Sequence, residues 1–329
     1  MGSVRSRAQA GIKRYDAGGI GAPFLYNAIV FKKVQALLGG KLRAVITGSA
    51  PLAPGIQKFA QTVFNCPVRQ GYGLTETCAS SCIAEPCDNT CGQVGTPTVC
   101  TCIKLRDWAE GGYRLADADD PSIGMPRGEI LIGGSMVCQG YLVDQSDPDP
   151  DVVQKNKTEF FTDERGLRFF CTGDVGQVTP EGTLMIIDRK KDLVKLQQGE
   201  YVALSKVEGV LKLCPLVEYP MVYAESSRDF CVALICPNHG MLKKLASEMG
   251  IQETDVGALC DNKEIVMEVS RLCAAACKQG KLVGFEIPKR YGLIADTFTP
   301  ENDCLTAAMK LKRPVAAKKH EQLIKAIYK

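Results

Sequence analysis

Histidine is nearly absent from this chain: His239 and His320 are the only two among 329 residues. That scarcity argues against histidine-based acid–base or triad chemistry, where the base must lie within hydrogen-bond reach of its nucleophile. Long apolar runs are also missing. None reaches the roughly 18 residues that a spanning helix needs, so a membrane span is excluded, although peripheral membrane association is not. The opening MGSVRSRAQAG has basic residues but no apolar stretch, and does not read as a secretory signal. Neither sign of charge dominates, with 40 Lys and Arg against 37 Asp and Glu, so nothing points to a nucleic-acid partner. Familiar phosphate and hydrolase motifs fail too. Gly39-Gly40-Lys41-Leu42 is not a Walker loop, Gly18–Gly21 lacks the dinucleotide-binding spacing and a preceding strand, and no G-x-S-x-G occurs.

Cysteine, by contrast, is plentiful. Sixteen are present, and six crowd together as Cys78, Cys82, Cys87, Cys91, Cys100 and Cys102. Their gaps are irregular, no C-x-x-C occurs and both histidines are distant, which disfavours a metal site. A disulfide framework suits small secreted domains instead. Free thiols in a reducing, intracellular compartment are expected, either cytoplasmic or on the cytoplasmic face of membranes.

Three compositions follow one another along the chain. Residues 43–72 read as β-α-β. A short apolar run, Ala44–Thr47, ends at Gly48; Ile56, Phe59, Ala60 and Val63 follow at helical spacing; a second strand, Pro67–Gln70, is closed by Gly71-Tyr72-Gly73. Residues 92–188 read as short strands with Pro, Gly and Asp turns, a β-rich subdomain of barrel-like character that includes a solvated acidic loop at 144–151. After about 191 strands are expected near 217–223 and 230–236. A helix with a capping box from Asp261 to Glu264 should bury Ile265, Val269, Leu272 and Ala276, and a last helix carries Leu323, Ile324 and Ile327.

Gln70-Gly71-Tyr72-Gly73-Leu74-Thr75-Glu76-Thr77 is the sharpest local signal. Its glycines allow close backbone approach to a ligand. The tyrosine can lie against a purine, the threonine hydroxyl can bind phosphate, and the glutamate suits a hard divalent ion. Taken alone, a plain turn with a helix start at Thr75 explains it as well.

The octapeptide resembles a motif of the adenylate-forming superfamily, and further motifs follow in that family's order. Gly48-Ser49-Ala50-Pro51-Leu52 resembles the glycine turn bordering adenine; Gly92–Pro97 and Arg127–Ile132 resemble intervening strands. Thr172-Gly173-Asp174 supplies the aspartate that the family uses on the ribose hydroxyls. Ile186–Asp192 (IIDRKKD) and Lys195–Ala203 (KLQQGEYVA) are very close to long-chain fatty-acyl-CoA synthetases. Leu305–Arg313 resembles the family's last motif.

The resemblance implies an α/β fold: the C-terminal half of a large AMP-binding domain (1–190) and a small mobile α+β domain (191–329). It implies ATP-dependent activation of a fatty acid to acyl-AMP, then thioester formation with CoA, with Mg²⁺ as the metal. Nucleotide and CoA contacts would come from Gly48, Ser49, Ala50, Gln70, Gly71, Tyr72, Gly73, Thr75, Asp174, Arg189, Lys195, Gly199 and Glu200. Glu76 would hold Mg²⁺, Lys191 would be the hinge, and Lys310 would bridge carboxylate and α-phosphate.

The family's phosphate loop should precede Gly48 by well over a hundred residues, whereas 47 are present. A fragment or natural truncation is therefore expected, unable to form acyl-adenylate unaided. Other departures are Ser49 for a glycine, Gly133 for a basic residue, Cys171 for His or Arg, Leu204-Ser205 for Pro-Glu, and Ala307 for Pro. Two alternatives stand beside this reading: an inactive AMP- or CoA-binding homologue, or an aryl or short-chain acyl-CoA ligase.

Overall fold

A computed structural model describes residues 9, 11–14, 16–17, 27–307 and 309–329, with backbone alone at 28 and 29. Gly18–Gly21 and Ala308 therefore lie outside the described residues. The chain divides into two compact units, Met1–Lys190 and Lys191–Lys329.

In the first unit, helix α1 (Lys32–Ala36) precedes strand β1 (Val45–Thr47), helix α2 (Pro54–Phe64) and strand β2 (Val68–Tyr72). β1 and β2 pair in parallel, Val45 opposite Val68 and Thr47 opposite Gln70, so the β-α-β unit forms. Proline in the first turn starts α2 where no N–H partner is needed, and Asn65, left-handed at φ 54°, ends it.

The face that α2 buries differs from the apolar one expected. Gln57, Gln61, Thr62 and Val63 are buried, while Ile56 is 39% and Phe59 38% exposed. The reason lies in the next strand. Gln57 Nε2 donates to Val68 O at 3.1 Å, and Gln61 Oε1 accepts from Val68 N at 3.0 Å. Leaving those buried backbone groups unpaired would cost more than one apolar contact contributes.

β2 runs on through Gly71 and Tyr72 because strand β3 (Cys82–Ile83) pairs with them antiparallel; β4 (Thr96–Pro97) completes a sheet of order β1-β2-β3-β4. A second sheet holds β5 (Cys102–Arg106) and β6 (Arg127–Gly133). It also holds β7 (Phe160–Thr162), β8 (Arg168–Val178) and β9 (Leu184–Arg189). All described pairs are antiparallel, in order β5-β6-β8-β7 with β9 on β8. At eleven residues β8 is long enough to hold β7 along its start and β9 along its end. No described pairing joins β5 to β9, so the β-rich part is an open sheet and not the barrel expected. The acidic loop is shorter than expected as well, since Asp149 accepts from Asp151 N and caps helix α3 (Pro150–Thr158). Cys82, Val94, Ile130, Ile132 and Leu184 form the local core.

The second unit opens with the hairpin β10 (Leu193–Lys195) and β11 (Tyr201–Ala203), then helix α4 (Leu204–Leu211). Strands β12 (Val217–Tyr223) and β13 (Val232–Pro237) fall where the sequence placed them. Helices α5 (His239–Glu248), α6 (Val256–Asp261) and α7 (Lys263–Gln279) precede strand β14 (Arg290–Leu293); helices α8 (Arg313–Lys319) and α9 (Glu321–Tyr328) close the chain. The sheet order is β12-β13-β14, antiparallel then parallel.

β13 shows why both faces are covered. Ala233 and Ile235 point into a core with α4 and α7, whereas Val232, Leu234 and Cys236 pack with Ala316, Ile324 and Tyr328 of the last helices. Alternating side chains place consecutive apolar residues on opposite faces, so a continuous apolar run marks a strand buried on both. α7 begins one residue later than the capping box implied. Asn262, not Asp261, accepts from Glu264 N and Ile265 N, and Asp261 ends α6. Its buried row is Ile265, Val269, Cys273 and Cys277, with Leu272 and Ala276 only partly covered. No helix among the described residues is long and apolar enough to cross a membrane.

Candidate functional site

In the first unit the turn after β1 runs beside the end of β2. A Cβ on Gly48 would meet Gly71 O at 3.3 Å. Ser49 follows in the left-handed region at φ 68°, which glycine adopts without strain; its backbone thus explains why a glycine is expected there. Gln70 is buried and shapes this turn. Its Oε1 accepts from Leu52 N at 2.9 Å, and its Nε2 donates to Gln57 Oε1 at 3.3 Å and Gln93 O at 3.4 Å. Ala50 is exposed.

Past β2 the chain folds back on Gly73. A Cβ there would lie 1.8 Å from Ala79 O. Thr77, fully buried, accepts from Leu74 N at 3.1 Å and closes the turn; Thr75 is exposed at its tip. Glu76 is held from a distance of 65 residues, its Oε1 accepting from Tyr141 OH at 2.7 Å. Burial first, then the Glu76 carboxylate, pushes the Tyr141 phenol up and keeps it a donor. Nothing in the sequence marked Tyr141, because its partner is remote and tyrosine is common in cores.

Three sequence motifs converge on Asp174. It stands in β8 opposite Arg189 of β9. Tyr72 OH donates to Oδ2 at 2.7 Å, Arg189 Nε pairs with Oδ1 at 3.0 Å, and the Asp174 side chain is 4% exposed. Burial and the neighbouring carboxylate push the Tyr72 phenol well above its ordinary value, so it stays protonated. Each carboxylate oxygen can accept more than one hydrogen bond, so acceptor capacity for a diol remains.

Next to Arg189, Lys190 is part of a second ionic group. Its Nζ lies 2.8 Å from Glu129 Oε2 and 5.7 Å from the Trp108 ring centre; Arg106 Nε reaches the same carboxylate oxygen at 3.0 Å. Burial pushes the Glu129 carboxyl up, but hydrogen bonds and charge from Lys190 and Arg106 outweigh it and hold the group below its ordinary 4.5. A depressed native pKa contributes stability above pH 4.5 that is lost as pH falls through the lowered value. Glu129→Gln should therefore flatten the acid limb of the stability profile, by up to about one proton of slope. Thermal melts between about pH 3 and 6 check this, and equal slopes for variant and parent would refute it.

The remaining candidates lie in the second unit. Lys191 is exposed at the first residue of that unit. Lys195 sits opposite Tyr201 in the β10–β11 hairpin, its Nζ 5.5 Å from the ring centre. Gly199 turns that hairpin at φ 97°, and Glu200, exposed, accepts through its carbonyl from Leu196 N at 2.7 Å. Lys310 is exposed at the base of a tight loop: Thr306 N donates to Lys310 O at 2.7 Å, and Lys310 N donates to Thr306 Oγ1 at 3.1 Å.

Arg313 is largely buried and fully paired. Its side chain is 16% exposed; it pairs with both oxygens of Glu208, with Asp192 Oδ1 at 3.3 Å and with Val222 O at 2.8 Å.

Residues 12–142 match the AMP-binding enzyme family. Most of the chain aligns with proteins of that kind. Long chain acyl-CoA synthetase 8 of Arabidopsis thaliana is 42% identical over 304 residues, which is 92% of this chain and 40% of that protein. Residues 12–142 of the chain thus belong to the AMP-binding enzyme family. Fatty acyl-CoA synthetase A of Dictyostelium discoideum is 36% identical over 307 residues, 92% of this chain and 43% of the relative. The chain thus spans about 40% of the length of the curated relatives it matches. Among solved structures, the A-PCP didomain of carboxylic acid reductase from Segniliparus rugosus, in complex with AMP, has a TM-score of 0.72 and 26% identity. That match covers 99% of this chain and 40% of the other. The family's α/β fold therefore accounts for both units, each described by itself.

Proposed function

We propose that this chain carries the nucleotide-contacting turns, the hinge and the catalytic lysine of a long-chain fatty-acyl-CoA synthetase. The observation that supports this best is the convergence of Tyr72, from the glycine turn, and Arg189, from the D-R-K-K-D segment, on the Asp174 carboxylate. The similarity to long-chain acyl-CoA synthetases supports the substrate class.

The reaction has two halves. A fatty carboxylate attacks the α-phosphate of Mg·ATP, giving acyl-AMP and pyrophosphate; the thiol of CoA then displaces AMP. Asp174 accepts from the ribose hydroxyls, and Gly48, Ser49 and Ala50 border the base together with Gly71, Tyr72 and Gly73. Thr75 offers its hydroxyl to phosphate, and Glu76, already oriented by Tyr141, offers carboxylate lone pairs to the magnesium that accompanies ATP. Lys310 neutralises charge where two anions meet. Rotation about Lys191 exchanges Lys310 for the Lys195–Tyr201 hairpin, with Gly199 and Glu200 at its turn, along the path of CoA. The sixteen free cysteines support a reducing compartment.

Calorimetric titration with AMP, alongside ATP–pyrophosphate exchange with palmitate, tests this reading. AMP binding by the chain, weakened about tenfold or more in Asp174→Asn, is the expected result. AMP binding without exchange would favour a nucleotide-binding homologue or a fragment that lacks the phosphate loop, and exchange restored in a longer synthetase that contains these residues would decide for the fragment. Absence of both would overturn the assignment.

A further inference from the structure

The segment Arg189-Lys190-Lys191-Asp192 crosses the boundary between the two units, and its charges are not equivalent. Lys190, the last residue of the first unit, is tied inside that unit: Glu129 holds its Nζ at 2.8 Å, Arg106 shares the carboxylate, and Trp108 lies beneath. Arg189 is likewise tied to Asp174. Asp192 is tied inside the second unit. Arg313 pairs with it at 3.3 Å and spends its other donors on Glu208 of α4 and on Val222 O of β12. Glu208 in turn accepts from Val222 N at 2.8 Å, so α4, β12 and the start of α8 meet at one guanidinium. Within the segment 189–192, Lys191 alone is exposed.

We propose that Glu129 and Arg313 are positioning residues that confine the hinge to Lys191: Glu129 clamps its N-terminal side, and Arg313 its C-terminal side. A hinge works when a few residues absorb the φ/ψ change while their neighbours stay rigid. Two ion clusters, each internal to one unit, give that rigidity up to one residue on either side. Arg313 has a second effect because it ends the loop that bears Lys310. Holding Asp192 and the stem of that loop on one guanidinium makes the lysine turn as one body with the hinge exit. Only arginine fits, since its planar fork serves Glu208, Asp192 and a carbonyl together, whereas lysine offers a single point charge. The purpose of the pivot rests on the synthetase reading above; the confinement itself does not.

Amide hydrogen exchange on the 329-residue chain, without ligand, separates the two. Glu129→Gln is expected to speed exchange about tenfold or more in the peptide covering 188–191 and to leave 192–196 unchanged. Arg313→Lys should do the converse, and trypsin should then cut after Lys191 faster than in the parent. A uniform rise across a whole unit in both variants would mean that the clusters merely stabilise their units and would overturn the proposal. No change in either peptide would overturn it as well. In a longer synthetase that contains these residues, Arg313→Lys should lower the rate of the complete reaction while KM for ATP stays within about twofold, because the nucleotide contacts are intact. Local exchange that rises as expected, with the rate unaffected, would refute the synthetase role of the hinge and leave the confinement standing.

Discussion

Gly73→Ala is expected to destabilise the first unit by about 3 kcal/mol, near the top of the range for overpacking, and to abolish AMP binding. The added Cβ would lie 1.8 Å from Ala79 O, 2.6 Å from Ala79 C and 3.0 Å from Ser81 N. All three are backbone atoms of the same folded-back turn, so no side-chain rotation relieves the clash. The turn must open, and opening it separates Leu74 N from Thr77 Oγ1 and displaces Thr75 and Glu76. For a unit of this size that cost corresponds to a fall of about 6–12 °C in thermal midpoint. Gly55→Ala is the matched control. It lies in α2 with nothing within 4 Å of a built Cβ, and alanine there should be neutral or stabilising by about 0.5 kcal/mol. Equal melting curves for Gly73→Ala and the parent would show that the turn is looser than its geometry states.

Lys310→Ala should slow adenylation by about 10²–10³-fold in a synthetase that contains these residues together with a phosphate loop, while thioester formation from supplied acyl-adenylate persists. The side chain is exposed on a loop fastened by backbone hydrogen bonds at Thr306, so truncation removes a charge without disturbing a core. The first half-reaction brings a carboxylate to a phosphate and needs that charge; the second displaces AMP with a thiol and does not. Pyrophosphate exchange measures one half and single-turnover thioester formation the other. Equal loss in both would remove Lys310 from the adenylation step.

What could be read beforehand depended on how far apart the interacting residues lie. The β-α-β unit of 43–72, β12 and β13, and the family itself were legible, because each is written in local strings: apolar runs, helical spacing, or motifs in order. The capping of α7 was misplaced by one residue since Asp261 and Asn262 are both able caps, and only the end of α6 decides between them. The buried face of α2 was misread because burial there follows the hydrogen-bonding needs of Val68, which periodicity does not record.

The same division runs through the candidate site. Motif order by itself pointed to the family, to the residue types of the candidate site and to Ser49 as a position where a glycine is expected, since those depend on chemistry carried within a few residues. Tertiary structure alone decided who holds whom: Tyr141 on Glu76, Tyr72 and Arg189 on Asp174, Glu129 on Lys190, Arg313 on Glu208 and Asp192. Such pairs span tens of residues along the chain, up to 121 for Arg313 and Asp192. Charge and hydrogen bonding act through space, so only the pairing of strands and the packing of helices brings these partners within reach.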